Sequence, residues 1–228
     1  MFQALQSSIS GDYRRGLNLI LRTKGKTMKI SKEQARENRD RVVETAARLF
    51  RERGFDGVGV AELMRAAGFT HGGFYNHFPS KEALVVKAAN FAYRHRAEQV
   101  GPDDGIETIL RNYLSDEHLE DLGGSCPTAG LGSDAARQTE EVRAAFGAGI
   151  DGMIRSYDAA LGDCAPLSRD ARRALALNLL AKAVGAIVMA RAVPASDPLA
   201  HEILSTCLTG ALDELAHAMA SKRDGGIG

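Results

Sequence analysis

Apolar residues recur along this chain at spacings of three and four, and no alternating stretch of the kind a half-buried strand requires is found. The pattern predicts an all-α protein. From Lys32 to Arg53, the residues Val42, Val43, Ala46, Leu49 and Phe50 share one face, Glu44–Arg48 and Arg48–Glu52 are available as i,i+4 pairs, and Gly54 stops the helix. Ser80 to about Val100 reads as a connecting helix ended by Gly101-Pro102, and Asp103 to about Leu119 as another. Gly123-Gly124 marks a loop, and Pro127 suits the first turn of the helix after it. Thr139 to about Leu161 is a longer helix weakened by Gly147, Gly149 and Gly152, and residues Gly162 to Ser168 read as a loop. Two strongly apolar helices close the pattern: one from Arg169 to Val193 with Leu175, Leu179, Leu180, Val184, Ile187 and Val188, the other from Leu199 to Ala220 with Ile203, Leu204, Leu208, Leu212, Leu215 and Met219. Each is apolar over more than one stripe, so each needs several packing partners. Two such helices meeting a second copy would give a four-helix dimer interface.

The segment from Val60 to Leu84 is the most specific. Val60, Leu63, Met64 and Ala67 give a first helix its apolar face, and Gly68 stands where a left-handed turn residue is wanted. Thr70 stands where an N-cap is expected, with a hydroxyl for a free backbone N–H. Phe69 and Phe74 are spaced to pin a short second helix, which leaves His71, Gly72, Gly73, Tyr75 and Asn76 on its other faces. This is a helix-turn-helix, whose second helix enters the DNA major groove. Adjacent glycines cost a helix about 1 kcal/mol each relative to alanine. That cost makes sense if the backbone must come close to base edges or thymine methyls. His71, Tyr75, Asn76 and His77 offer hydrogen bonds to bases or phosphates. Lys81 falls in the first turn of the next helix, where a cation is normally disfavoured and a phosphate would benefit from lysine and helix N-terminus together.

The chain has 228 residues, of which 44% are hydrophobic, and formal net charge zero. Residues 1–96 hold 18 Lys/Arg and 9 Asp/Glu, and residues 97–228 hold 11 and 20. A basic half beside an acidic half suits a DNA reader joined to a regulatory domain, although two solvated faces give the same count. No run of twelve contiguous apolar residues occurs, so no membrane span is expected. Cys126, Cys164 and Cys207 have no zinc spacing, and their odd number suggests reduced thiols in the cytoplasm. The stretch 1–27 carries five basic residues and one acidic and lacks a signal-peptide pattern, while Met28 begins MKISKEQARENRDRV. The preferred reading is a disordered leader from an upstream start codon; a basic arm adding minor-groove or phosphate contacts is the alternative.

From Asn38 to Leu84 the chain resembles the DNA-binding domain of TetR/AcrR-type transcriptional regulators. The matching residues are Val43, Ala46, Ala47, Leu49 and Phe50, then Gly54-Phe55, Ala67-Gly68, Phe74-Tyr75, His77-Phe78 and Ser80-Lys81-Glu82-Ala83-Leu84. THGGFYNHF, together with SCPTAGLGSDAARQ further on, is similar to one subgroup of that family. Gly59 departs from the Ser or Thr cap the family usually has there. The resemblance implies an all-α protein with an N-terminal three-helix helix-turn-helix domain and a C-terminal helical domain that binds an effector and dimerises. The expected organisation is a leader at 1–27, the DNA-binding domain at 28–79, the effector and dimerisation domain at 80–221, and a frayed tail at 222–228.

Several residues outside the reader invite a chemical role. Cys126 precedes Pro127, so it is expected at a helix N-cap, where the helix dipole stabilises a thiolate and would suit sensing of electrophiles or oxidants. The competing reading is a buried small side chain beneath the Gly123-Gly124 loop. Cys164 could be its partner, and Cys207 reads as core. Tyr113, His118, Met153, Tyr157 and Asn178 are candidates for lining an effector pocket, against ordinary packing for any one of them. An amide such as Asn178 in LALNLLAKAV must find a partner, face a cavity or set register across a dimer.

Catalysis finds no support. His71-Gly72-Gly73 has no G-x-S-x-G elbow to serve, and Gly130-x-Gly132-x-x-Ala135 has no preceding strand. His71 and His77 are six apart, poor spacing for metal ligands on one face, and His95 and His118 lack nearby ligand partners. No cofactor or metal is expected. The chain reads as a homodimeric regulator of a palindromic operator, most simply a repressor released by a small molecule or thiol-reactive effector. The alternative is a helical ligand-binding or interaction protein that no longer binds DNA.

Overall fold

The computed structural model describes residues 31–101, 104–162, 167–194 and 196–220. The expected leader at 1–27, the start at Met28, Pro102, Cys164, Pro166 and the tail at 222–228 lie outside the described residues. By internal contacts the chain divides into residues 1–38 and residues 39–228. Of the first unit, residues 31–38 are described; they begin a helix in which Ser31 Oγ accepts from the Gln34 N–H at 3.0 Å.

Among the described residues all regular structure is helical. Helix α1 is Lys32–Arg53 and α2 is Val60–Ala66; a 3₁₀ segment follows at His71–Asn76, then α3 at Lys81–Glu98. Next come α4 (Ile106–Tyr113), α5 (Asp116–Glu120), α6 (Pro127–Ala135) and α7 (Glu140–Leu161), and last α8 (Arg169–Arg191) and α9 (Leu199–Ala220). The all-α expectation holds, and most helices fall within two residues of the bounds that periodicity predicts.

One expected helix is two. The stretch from Asp103 to Leu119 breaks after Tyr113, because Ser115 caps α5 by accepting from the His118 N–H at 3.2 Å. The break brings the His118 ring back to the Tyr113 carbonyl at 2.6 Å.

Two apolar clusters hold these helices. In the first, Val42, Ala46, Leu49 and Phe50 of α1 pack with Leu63 and Met64 of α2, Phe74, Phe78, and Leu84, Val85 and Ala88 of α3. The same cluster takes in Leu131 and Ala135 of α6 and Val142 and Phe146 of α7, so the reader's core continues into later helices. In the second, Ile109, Leu110 and Tyr113 of α4 pack with Ile154, Tyr157 and Leu161 of α7, Leu179 and Ile187 of α8, and Leu204 and Leu215 of α9. Helix α8 is long and apolar enough to span a membrane by composition alone. Its buried face, however, is the packing face of this cluster, and Lys182 midway along it pairs with Glu214 of α9 at 2.8 Å.

Candidate functional site

The reader is built by anchoring one aromatic and exposing its neighbours. Gly68 takes φ +85° after α2, a conformation glycine adopts without steric cost, and turns the chain toward the 3₁₀ segment. Phe74 is fully buried, packed edge-on to Tyr75 at 5.2 Å and tilted against Phe78 at 5.6 Å. With Phe74 inward, Thr70, His71, Gly72, Tyr75 and Asn76 are exposed, Tyr75 to 68%. Gly73 and His77 are half-buried. A Cβ on Gly72 would meet nothing within 4 Å, and one on Gly73 would touch Met64 Cε only at an ordinary 3.6 Å. Packing within the chain therefore does not explain either glycine.

One expectation is refined here and another corrected. The short second helix is present and is 3₁₀ in form, consistent with two glycines that weaken α-helical order. Thr70 stands at the N-cap in extended conformation, but its side chain makes no capping bond.

Lys81 is also committed within the chain. Its Nζ donates to the Phe55 carbonyl at 2.5 Å and lies 6.0 Å from the Phe50 ring centroid, tying the turn between α1 and α2 to the start of α3. Ser80 caps α3 as a serine should, accepting from the Ala83 N–H at 3.2 Å. Gly59 gives α2 no side-chain cap, as its residue type requires. Two arginines that helical periodicity did not single out stand beside the reader: Arg41 lies 5.7 Å over the Phe69 ring and Arg39 lies 5.3 Å over the Phe78 ring.

A cavity of about 240 Å³ opens between α3, α4 and α7. Of the effector candidates, Tyr113, Met153 and Tyr157 line it. His118 and Asn178 do not. His118 is buried and both its nitrogens are spent: Nδ1–H donates to the Tyr113 carbonyl, and Nε2 accepts from the Cys126 N–H at 3.1 Å. Burial lowers its pKa to about 4, with Arg96 and Arg191 adding to the fall against the bond to Tyr113, so the ring is neutral as this bonding requires. Asn178 is exposed on α8, away from the buried Leu175, Leu179 and Leu180.

Cys126 stands at the N-cap of α6, as expected, but its side chain makes no capping bond and is fully buried, with Sγ 3.8 Å from Met153 Sδ. The conformation seen here is that of a buried small side chain. Cys207 is half-buried against the second apolar cluster.

Arg51 was not foreseen, because a charged residue on a periodic helix reads as solvated. It is 9% exposed, and its Nε donates to the Gly123 carbonyl at 2.6 Å. Burial pulls its pKa down, and nearby Asp121 opposes that. Arg191 of α8 grips the end of α5, donating from Nε to the Leu119 carbonyl at 3.0 Å and from Nη2 to the His118 carbonyl, and reaches the Asp121 carbonyl of the same loop at 3.4 Å. The loop between α5 and α6 is thus clamped by the reader's first helix on one side and by α8 on the other. Gly123 fits because a Cβ there would come 2.8 Å from Arg48 Cγ.

Residues 42–88 match the family described as "Bacterial regulatory proteins, tetR family". The HTH-type transcriptional repressor NemR of Escherichia coli K12 is 28% identical over 141 residues, covering 58% of this chain and 71% of that protein. The HTH-type transcriptional regulator LmrA of Bacillus subtilis is 25% identical over 185 residues, covering 75% of this chain and 95% of that protein. The crystal structure of the reduced form of E. coli NemR superposes with a TM-score of 0.64 at 25% identity, covering 78% of this chain and 96% of that one. A TetR-family regulator from Cytophaga hutchinsonii superposes with a TM-score of 0.68; at 19% identity, covering 81% and 96%, it speaks for the fold. These relatives are transcription regulators, not enzymes. Residues 42–88 match the helix-turn-helix domain of the tetR family, and the chain is a DNA-binding transcription regulator.

Proposed function

We propose that the chain is a homodimeric repressor that reads a palindromic operator and leaves it when an effector binds. The observation that carries this reading is the exposed 70–76 segment, in which Phe74 alone is anchored while Gly72 faces open space. Such a surface suits an approach by base edges, with His71, Gly72 and Gly73 nearest the bases. Thr70, Tyr75, Asn76 and His77 would hold base edges and backbone, and Arg39 and Arg41 join Lys81 as candidates for phosphate. Residues 28–79 would form the reader, and 80–221 the effector and dimerisation domain. A DNA-binding role would keep the protein in the cytoplasm with its operator.

The dimer would form on α8 and α9. Leu177, Ala181, Val184 and Val188 make an outward apolar stripe on α8 that no helix of the same chain covers fully, with Asn178 beside it. Relief of repression would start at the cavity, since α3 both walls it and begins directly after the reader. A shift of α3 changes the spacing of two reading heads and spoils their fit to successive grooves. The clamp of Arg51 on Gly123 gives a second path, from Tyr113 through His118 and Cys126 to α1. A thiol-reactive effector would act through Cys126 once a local opening exposes it. NemR, whose solved form is described as reduced, is a relative that supports keeping this route.

The test is fluorescence anisotropy of the purified full chain on DNA from upstream of its own gene, against a scrambled duplex. Tight, saturable, sequence-dependent binding is expected. Equal weak binding to both, followed by no enriched sequence in a genome-wide selection, would favour instead a helical ligand-binding protein that no longer reads DNA.

A further inference from the structure

The walls of the α3–α4–α7 cavity carry a chemical preference. At about 240 Å³ it lies just under the range of roughly 300–1,000 Å³ typical of drug-sized ligands, which suits a body of one or two rings. Helix α7 makes room for it with glycine, the poorer helix former. The Tyr93 ring occupies the place of a side chain at Gly149, where a Cβ would fall 2.3 Å from Tyr93 Cδ2. At Gly152, which lines the cavity, a Cβ would meet only the Arg155 guanidinium, at 3.8 Å.

Two buried phenols in this wall lack an oxygen or nitrogen partner among the described residues. Tyr113 is 1% exposed and Tyr157 3%; neither phenol has an oxygen or nitrogen partner, and Tyr113's hydroxyl faces only the weakly accepting Cys126 thiol, whereas the third phenol, Tyr93, is bonded to Thr128 Oγ1 at 2.9 Å. Buried polar groups are almost always satisfied, so two orphaned donors on one cavity point to a missing acceptor. Burial raises the pKa of both phenols, with the nearby Cys126 thiol adding to it, so both keep the proton they would donate. Among the described residues the lining includes no carboxylate, while Arg94 and Arg96 supply positive charge, Arg96 lying 5.3 Å over the Tyr113 ring. A cationic guest would gain nothing here.

We propose that the cavity takes an apolar, non-cationic molecule of one or two rings whose carbonyl-type oxygen accepts hydrogen bonds from Tyr113 and Tyr157. The inference rests on the reading of this cavity as the effector site and names the effector's chemistry.

The probe is an uncharged naphthyl ketone, 6-propionyl-2-(dimethylamino)naphthalene, whose emission reports hydrogen bonding at its carbonyl; 2-(dimethylamino)naphthalene, without the ketone, is its control. With the full chain the ketone should bind saturably and several-fold tighter than the control. Tyr113→Phe and Tyr157→Phe should each weaken the ketone about three- to tenfold, leave the control unchanged and not lower the melting temperature, since each removes a hydroxyl without an oxygen or nitrogen partner. Gly152→Leu should abolish binding of both by filling the space. Absence of ketone binding, equal affinity for the two probes, undiminished ketone affinity in the double Tyr→Phe variant, or retention by Gly152→Leu would each overturn the proposal. Operator anisotropy with saturating ketone is read separately. Phenol-dependent binding without operator release would leave the cavity's chemistry standing and refute its role as effector site.

Discussion

His118 couples protonation to the fold. Its neutral ring donates to the Tyr113 carbonyl and accepts from the Cys126 N–H, and a second proton would turn the accepted bond into a clash of donors. The folded pKa of about 4 lies below the ordinary 6.5, so between these values the unfolded chain binds more protons. The stability this ring contributes is complete above pH 6.5 and is lost as pH falls toward 4. The loss should reach about 3 kcal/mol, from about 1.36 kcal/mol per unit. Denaturant titrations between pH 4 and 7 should show it, and His118→Gln should flatten the profile; an equally steep profile in that variant would assign the effect elsewhere. At Gly72 the fold has room for a methyl group. Gly72→Ala should therefore keep or slightly raise the melting temperature yet weaken operator binding at least tenfold; unchanged affinity would remove the close approach of bases. Lys81→Ala separates two roles. Loss of its bond to Phe55 should lower stability by about 1–2 kcal/mol. If Lys81 also contacts a phosphate, the slope of log affinity against log salt should fall by about 1; an unchanged slope leaves it a purely internal tie.

Helix α8 serves two faces. Leu175, Leu179, Ala183 and Ile187 point into the chain's own core, and Leu177, Ala181 and Val188 recur on the opposite side, with Val184 at the edge, partly packed against that core. A glutamate in that stripe would face its own copy in a symmetric dimer, where like charges repel in a desolvated contact. Val188→Glu, at an exposed position of the stripe, should convert the proposed dimer to a monomer in sedimentation velocity while leaving the helical circular dichroism intact. A dimer that persists unchanged would move the interface to another surface.

The two apolar clusters are joined through the loop between α5 and α6, which Arg51 and Arg191 clamp from different helices. In the proposed release, this arrangement would let an event at the cavity reach α1 without passing through α3. Arg51→Met keeps volume but leaves the Gly123 carbonyl without its donor. It should cost about 1–3 kcal/mol and blunt the operator release caused by any ligand that displaces the native protein, while ligand-free operator affinity stays within a few-fold. Undiminished release would leave α3 as the working connection.

Periodicity alone made the helices legible, because a 3.6-residue repeat of apolar side chains is set by local geometry and survives any tertiary arrangement. The turn at Gly68 and the cap at Ser80 were legible for the same reason: their roles depend on neighbours a few residues away. The aromatic-rich run after Gly68 likewise announced the reader. The remaining features depend on contacts distant in sequence. Arg51 reads as a solvated helix charge until Gly123, 72 residues away, meets it. Lys81 reads as a phosphate ligand, and nothing local shows that the Phe55 carbonyl, 26 residues back, also accepts a hydrogen bond from it. Thr70 has the residue type and the extended backbone of a cap, but its side chain makes no capping bond. Tyr113 and Tyr157 share a cavity, and His118 does not line it, because the break at Leu114 turns the imidazole toward the backbone, which no apolar pattern encodes. Local spacing thus determines which segments are helices, whereas long-range packing determines which polar atoms are satisfied, and here the phenols it leaves unsatisfied are those the effector proposal rests on.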